Sequence, residues 1–315
     1  MTEKKEKKKI VIIAGPTAVG KTEYTIRLAQ QFNGEIVSCD SMQLYKYMDI
    51  GSAKPTPEER ARVPHHLVDV IDPREKFTVA RYFQMARDAI LDIDSRGKVP
   101  FVTGGTGLYI NSLIYDMDFS APPQRDEKIR DRYTAMAEEM GREYVYSKLM
   151  EMNPQVANRI HPNNLQKVIR ALEAEELGSS LGDFSKDPEP SSLFDPVLMC
   201  ITRQRQQLYN RINRRGDILF DRGLVQEVKG LMDMGLDESH ISMKGIGYKE
   251  VIAYLKGQVS LEDAKEQVKK SSRHYAKRQL TWFRRYDKMK WFNISDYSDD
   301  ESFLEDVSTW LKKQL

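Results

Sequence analysis

Ile10-Val11-Ile12-Ile13-Ala14-Gly15-Pro16-Thr17-Ala18-Val19-Gly20-Lys21-Thr22 is the stretch from which the fold can be read. The apolar run Ile10 to Ile13 predicts a buried parallel strand. Behind it, Gly15 to Thr22 meets every fixed position of G-x-x-x-x-G-K-[ST]. Successive backbone N–H groups of such a loop converge on phosphate oxygens, and the helix that follows presents its positive end. Lys21 adds a point charge, and the Thr22 hydroxyl is suited to a magnesium ion. The same residues would also make a plain strand, turn and helix with a surface lysine. The motif does not say whether the phosphate is a nucleotide's or the diphosphate of another substrate.

Moving outward, Glu23 to Phe32 has helical spacing, and Glu35 to Cys39 reads as a second strand ending at Asp40-Ser41. Ligands of open α/β sheets collect beyond the carboxyl ends of strands, which places Asp40 beside the anion site. A carboxylate there also serves as a helix cap. Val99 to Thr103 is a third strand that runs into Gly104-Gly105-Thr106-Gly107, repeating the strand–glycine–helix pattern and directing Thr106 toward the same crevice. The buried-strand signature returns at Pro196 to Thr202. The expected fold is α/β: a P-loop parallel-sheet core, residues 1–120 and 191–315, with helices on both faces. An all-helical insertion occupies 121–190, opening at Ala121-Pro122-Pro123 and closing through a polar connector at Leu177 to Pro190. The acidic tail after Asn293 is expected to be peripheral.

Arg203 to Phe220 is helical, and Arg203, Arg205, Arg211, Arg214, Arg215 and Arg222 crowd this region; one or two of them, such as Arg211 or Arg215, are expected to reach the phosphates. The last long helix, Leu261 to Tyr286, is basic in its later half with aromatics interleaved, as an RNA-facing helix would be; Lys277 and Arg278 are its candidate RNA contacts. A solvated helix with Tyr275, Trp282 and Phe283 turned inward would look similar. The formal charge of +2 on 315 residues says little by itself. Cys39 and Cys200, the only cysteines, lie in strands and are expected to pack, and His65-His66 lacks the further ligands of a metal site. No apolar run approaches a membrane span. A cytoplasmic monomer without an obligate protein partner is expected.

Two chemistries suit this arrangement. One is a nucleotide-dependent small-molecule kinase, with Asp40 at the magnesium ion. The other is alkyl transfer with diphosphate leaving, where Asp40 takes a proton from the nucleophile. A basic helix and a helical insertion favour a nucleic-acid acceptor.

Beyond those features, the chain resembles the bacterial tRNA dimethylallyltransferases, or tRNA isopentenyltransferases. The resemblance rests on GPTAVGKT (Gly15 to Thr22), DSMQLY (Asp40 to Tyr45), MDIGSAKP (Met48 to Pro55), PHHLVD (Pro64 to Asp69) and GGTGLY (Gly104 to Tyr109). HPNNLQKVIRALE (His161 to Glu173), GIGYKE (Gly245 to Glu250) and AKRQLTWFRR (Ala276 to Arg285) extend it. It implies transfer of the dimethylallyl group from dimethylallyl diphosphate to N6 of adenosine 37 in tRNAs that read codons beginning with U. It further implies Asp40 as general base, Thr106 as a contact near the transferring group or the tRNA nucleotide, Gly15 to Thr22 on the diphosphate and Mg²⁺ near Thr22. Asp40, Ser41, Met42, Gln43, Arg130, Gln166, Lys167, Val168, Ile169 and Arg170 are implied at the anticodon stem-loop.

Overall fold

The computed structural model describes residues 7–117, 119, 126–178 and 189–315. Six strands form one parallel sheet in the order β3-β2-β4-β1-β5-β6: β1 Lys8–Ala14, β2 Gly34–Cys39, β3 His65–His66, β4 Val99–Gly104, β5 Phe194–Thr202 and β6 Lys290–Asn293. The central strands are apolar on both faces because helices cover both, and Ile10 to Ala14 have no exposed surface. Ala14 is in register with Gly104 and with Cys200, and Gly104 with Cys39. The strands therefore end level, and the segments that leave them begin at one edge of the sheet.

The helices of this unit are α1 Lys21–Gln31, α2 Pro57–Arg62, α3 Val79–Ser95 and α4 Gly107–Ile114 before the insertion. In the insertion come α5 Glu127–Met140, α6 Arg142–Met152, α7 Pro154–Ala157 and α8 Leu165–Glu176. After it follow α9 Arg205–Asp221, α10 Leu224–Asp233, α11 Tyr248–Leu255, α12 Leu261–Phe283 and α13 Asp300–Lys312. A capping box between Thr56 and Glu59, with Pro57 at the first position, sustains the six-residue α2.

The tail is not peripheral. It follows directly on the edge strand β6, and its helix α13 buries Phe303, Leu304, Val307 and Leu311 in the core with Ile26, Leu28 and Phe292. The Phe303 ring meets that of Tyr24 edge-on at 4.7 Å. The acidic residues lie on the opposite, solvated face of an amphipathic helix.

Cα packing divides the chain into two units, Met1–Ile114 with Ser192–Leu315, and Tyr115–Ser191. The second is helical, with Tyr133, Val145, Leu149, Val156, Ile160, Val168 and Leu172 forming its own core. Asp126, Asn153 and Asn164 cap its helices through their side chains. The Ala121-Pro122-Pro123 opening and residues 179–188 of the connector lie outside the described residues. Among the described residues no helix is long and apolar enough to cross a membrane.

Candidate active site

The phosphate loop joins β1 to α1. Gly20, at the helix entry, has φ +108°, a conformation that disfavours a side chain, and Ala18 is also left-handed at φ 63°. The loop's carbonyls are tied back by arginines: Arg211 Nε donates to Ala18 O at 2.9 Å and Arg203 Nε to Val19 O at 3.1 Å. Arg203 also donates to the Tyr24 hydroxyl at 3.0 Å, and that hydroxyl donates to Asp300 of α13 at 2.7 Å. The N–H groups of Ala18 and Gly20 make no hydrogen bond among the described residues, as suits a nest for an anion. Lys21 Nζ donates to the Gly15 and Pro16 carbonyls, both at 2.9 Å. Burial lowers its pKa to about 8, with the positive charge of Arg215 acting the same way and Asp40 opposing. Burial also lowers the Arg215 pKa, again against Asp40.

Asp40 leaves β2 and accepts a hydrogen bond from Met42 N at 2.9 Å, which fixes the carboxylate's orientation. Thr106 braces this turn: its Oγ1 accepts from Ser41 N at 3.1 Å, and its N–H donates to Cys39 O at 3.2 Å. Gln279 of α12 links the two glycine-rich loops. Its Oε1 accepts from Thr17 N at 2.9 Å and its Nε2 donates to Gly105 O at 3.0 Å. A Cβ at Gly105 would run into that amide, so close packing requires glycine there. Tyr275, one turn earlier on α12, is hydrogen-bonded to Thr106, and burial first, then Asp40, raises its pKa.

Two cavities meet at Asp40. One, of about 470 Å³, is lined by Thr17, Gly20, Lys21, Thr22, Gln43, Arg211 and Gln279. The other, of about 400 Å³, is lined by Ser41, Met42, Tyr45, Phe77, Tyr109, Ile246 and Arg278. Thr17, Ala18, Asp40, Ser52, Arg215 and Tyr275 line both. The first gathers Lys21 and arginines round the loop, with Glu23 and Glu59 also in its wall; the second sets an apolar and aromatic wall of Tyr45, Phe77, Tyr109, Leu219 and Ile246 beside Lys244, Lys249 and Arg278, and the carboxylate is at their junction. The wall at Gly51 and Ser52 is held from outside: the Glu227 carboxylate of α10 accepts from Asp49 N, Ile50 N and Gly51 N at 2.7–3.0 Å, and from the Tyr248 hydroxyl at 2.9 Å.

Most residues expected at the anion are brought together here. Thr17, Ala18, Gly20, Lys21, Thr22, Arg211 and Arg215 line the cationic chamber, while Gly15, Pro16 and Val19 shape the loop behind it. Lys277 and Arg278 are exposed, whereas Phe283 of the same helix is fully buried, so α12 is both basic face and core element. In the helical unit, Gln166, Lys167 and Arg170 are exposed. Val168 and Ile169, expected at the RNA, are instead buried in that unit's core, as the helical alternation of α8 requires, so their side chains do not offer a contact surface. Arg130 is engaged by Glu173, a carboxylate 1% exposed that takes bonds from Arg130 Nε and Nη2 at 2.7–2.9 Å and from Asp126 N at 2.8 Å.

Cys39 and Cys200 are buried, and burial pushes both thiols up to about 12, so they pack rather than react. His65 bonds the Val63 carbonyl at 2.7 Å and His66 the Glu35 carboxylate at 2.8 Å. Gln279 and Glu227 were given no role from sequence, and Arg203, offered there among the arginines for the phosphates, instead braces the loop from behind. The available signal for Gln279 was its place four residues after Tyr275, an uncharged amide on the site-facing side of a basic helix.

A glycine-lined anion nest at the head of a parallel sheet, with a carboxylate between it and an apolar chamber, defines a phosphate-loop group-transfer enzyme. Comparison with known proteins narrows the class. Residues 43–286 match the profile described as IPP transferase, and residues 8–68 that described as isopentenyl transferase. The tRNA dimethylallyltransferase of Alkaliphilus oremlandii is 52% identical over 300 residues, 95% of this chain and 96% of its own. The crystal structure of the tRNA isopentenylpyrophosphate transferase from Bacillus halodurans aligns with a TM-score of 0.73 at 42% identity, covering 98% of this chain and 96% of that one. A eukaryotic dimethylallyltransferase captured acting on tRNA aligns with a TM-score of 0.79 at 29% identity, over 96% of this chain and 77% of that one. The chain belongs to the IPP transferase family. The kinase alternative is thereby set aside.

Proposed function

We propose that the protein transfers the dimethylallyl group of dimethylallyl diphosphate to N6 of adenosine 37 in tRNAs reading U-starting codons, with diphosphate as the other product. The observation that carries this reading is the place of Asp40, on the wall shared by the cationic chamber and the apolar one. The cationic chamber suits the diphosphate: loop amides, Lys21, Arg211 and Arg215 stabilise the charge that grows as the allylic carbon–oxygen bond breaks. The apolar chamber suits a purine extruded from an anticodon loop, which is already single-stranded and costs little to unstack. N6 attacks the allylic carbon, and its proton passes to Asp40 as the carbon–nitrogen bond forms. The Met42 amide bond on Asp40 Oδ1 and the Thr106 brace hold the carboxylate in place for that transfer.

The residues present fit Mg²⁺. Thr22 lines the chamber, and its hydroxyl is an oxygen donor of the kind Mg²⁺ takes beside substrate phosphates and water. Such an ion would offset diphosphate charge. Ser41, Met42, Gln43, Lys277 and Arg278, with Gln166, Lys167 and Arg170 of the helical unit, are the proposed RNA contacts. The protein acts as a cytoplasmic monomer in this reading.

The test is incubation with tRNA and labelled dimethylallyl diphosphate, followed by nucleoside mass analysis. N6-dimethylallyladenosine is expected from the wild type. Asp40→Ala is expected to bind tRNA normally and to lose roughly a thousandfold in turnover. Near-normal turnover in that variant would remove Asp40 from the chemistry, and an unmodified wild-type product would remove the function.

A further inference from the structure

Outside the two chambers, a third cavity of about 570 Å³ opens where the first turn of α9, the last turns of α12 and β6 meet. That volume lies within the range of roughly 300–1,000 Å³ typical of small-ligand sites. Its walls include Arg205 and Tyr209, Lys277, Thr281 and Arg284, and Trp291; none of its lining residues is acidic.

Arg27, Arg62 and Arg96 are each paired with a carboxylate. Arg205, Lys277 and Arg284 are exposed, converge on one cleft, and make no ion pair among the described residues. Three like charges lining one cleft repel one another, and a bound anion would offset that repulsion. The cleft also offers flat surfaces: the Arg205 guanidinium lies 5.2 Å from the Tyr209 ring centroid, and Trp291 is half-buried in the wall. Cations with planar groups are what a nucleotide's phosphate and unstacked base require.

The cleft shares α12 with the proposed base chamber. Arg278 lines that chamber, and its neighbour Lys277 lines the cleft. A helix is roughly 10–12 Å across, a span that a few nucleotides of an extended strand cover.

We infer that this cleft binds a nucleotide of the single-stranded tRNA segment flanking the adenosine that enters the apolar chamber, with its phosphates on Arg205, Lys277 and Arg284 and its base against Tyr209 or Trp291. The inference rests on tRNA being the substrate. A free nucleotide has the same chemistry, so the experiment separates the two sources.

Wild type and the double variant Arg205→Gln/Arg284→Gln are compared for tRNA binding over a series of salt concentrations, and for KM and kcat. The expected result is a KM for tRNA raised about tenfold and a log–log salt slope shallower by about 0.7 per lost phosphate contact. The kcat at saturating tRNA and the KM for dimethylallyl diphosphate should hold. Trp291→Ala should weaken tRNA binding without changing the salt slope. If the double variant keeps the wild-type affinity and slope while the wild type still prenylates tRNA, the cleft assignment falls and the function stands. Equilibrium dialysis with AMP supplies the other arm: saturable binding to the cleft, lost in the double variant whose tRNA affinity is intact, would overturn the tRNA assignment in favour of a free nucleotide. A wild type that neither binds nor modifies tRNA removes both.

Discussion

Gln279 offers a sharp test because the isosteric replacement is expected to be more damaging than truncation. The side chain is 5% exposed and spans the two glycine-rich loops, accepting from Thr17 N at 2.9 Å and donating to Gly105 O at 3.0 Å. Gln279→Ala leaves a buried N–H and a buried carbonyl without partners, at about 1–3 kcal/mol each before any water enters. If about 2 kcal/mol of that appears in the transition state, kcat/KM for dimethylallyl diphosphate falls about thirtyfold. Gln279→Glu keeps the shape and the bond from Thr17 N, yet sets two acceptors face to face at Gly105. It also adds a negative charge beside the diphosphate chamber. At an effective dielectric near 20, two unit charges roughly 6 Å apart repel by about 3 kcal/mol. The closer mimic should therefore be the worse enzyme, by about a further hundredfold. A protonated carboxyl can donate to Gly105 O, and its surroundings raise its pKa, so Gln279→Glu should regain activity relative to Gln279→Ala as the pH falls toward 5. The assay is steady-state transfer at saturating tRNA, with melting temperatures to confirm folding. A Gln279→Glu enzyme as active as wild type at pH 8 would refute the bridging role.

Lys21 loses its proton as the pH rises through about 8, so the KM for dimethylallyl diphosphate should climb above that pH, and Lys21→Arg, which stays charged, should flatten the alkaline limb. Tyr24→Phe removes the hydroxyl that joins Arg203 to Asp300; a KM for dimethylallyl diphosphate raised about fivefold, with kcat nearly constant, is expected, and an unchanged KM would show that the loop does not need this brace. Arg130→Ala strands the buried Glu173 carboxylate and should cost about 3 kcal/mol in the stability of the helical unit, read by denaturant titration; a loss of tRNA affinity with no loss of stability would assign Arg130 to the RNA instead.

The parts of the fold legible in the sequence are those where local and tertiary preferences agree. Ile10 to Ile13 and Val99 to Thr103 are short apolar runs bounded by glycine, and they stand side by side in the sheet. The last part of the chain was misjudged because the acidic residues Asp299, Asp300, Glu301, Glu305 and Asp306 dominate its composition, while Phe303, Leu304, Val307 and Leu311 keep a helical period among them. β6 is only four residues long, and at the sheet edge it needs little apolar sequence to form. Within the site, the anion-binding loop is written in consecutive residues and so is readable. The braces formed by Gln279, Arg203 and Glu227 join residues far apart in sequence, and only the folded chain shows what each amide or carboxylate faces.

The link from Asp300 through Tyr24 and Arg203 to Val19 also orders events during synthesis. A ribosome delivers the phosphate-loop signature early, but its rear support, Asp300, follows Tyr24 by 276 residues. Until α13 docks, a nascent chain carries every motif that would mark it as an enzyme while lacking the scaffold that makes the cradle rigid. The cradle's rigidity thus depends on a contact between distant parts of the sequence.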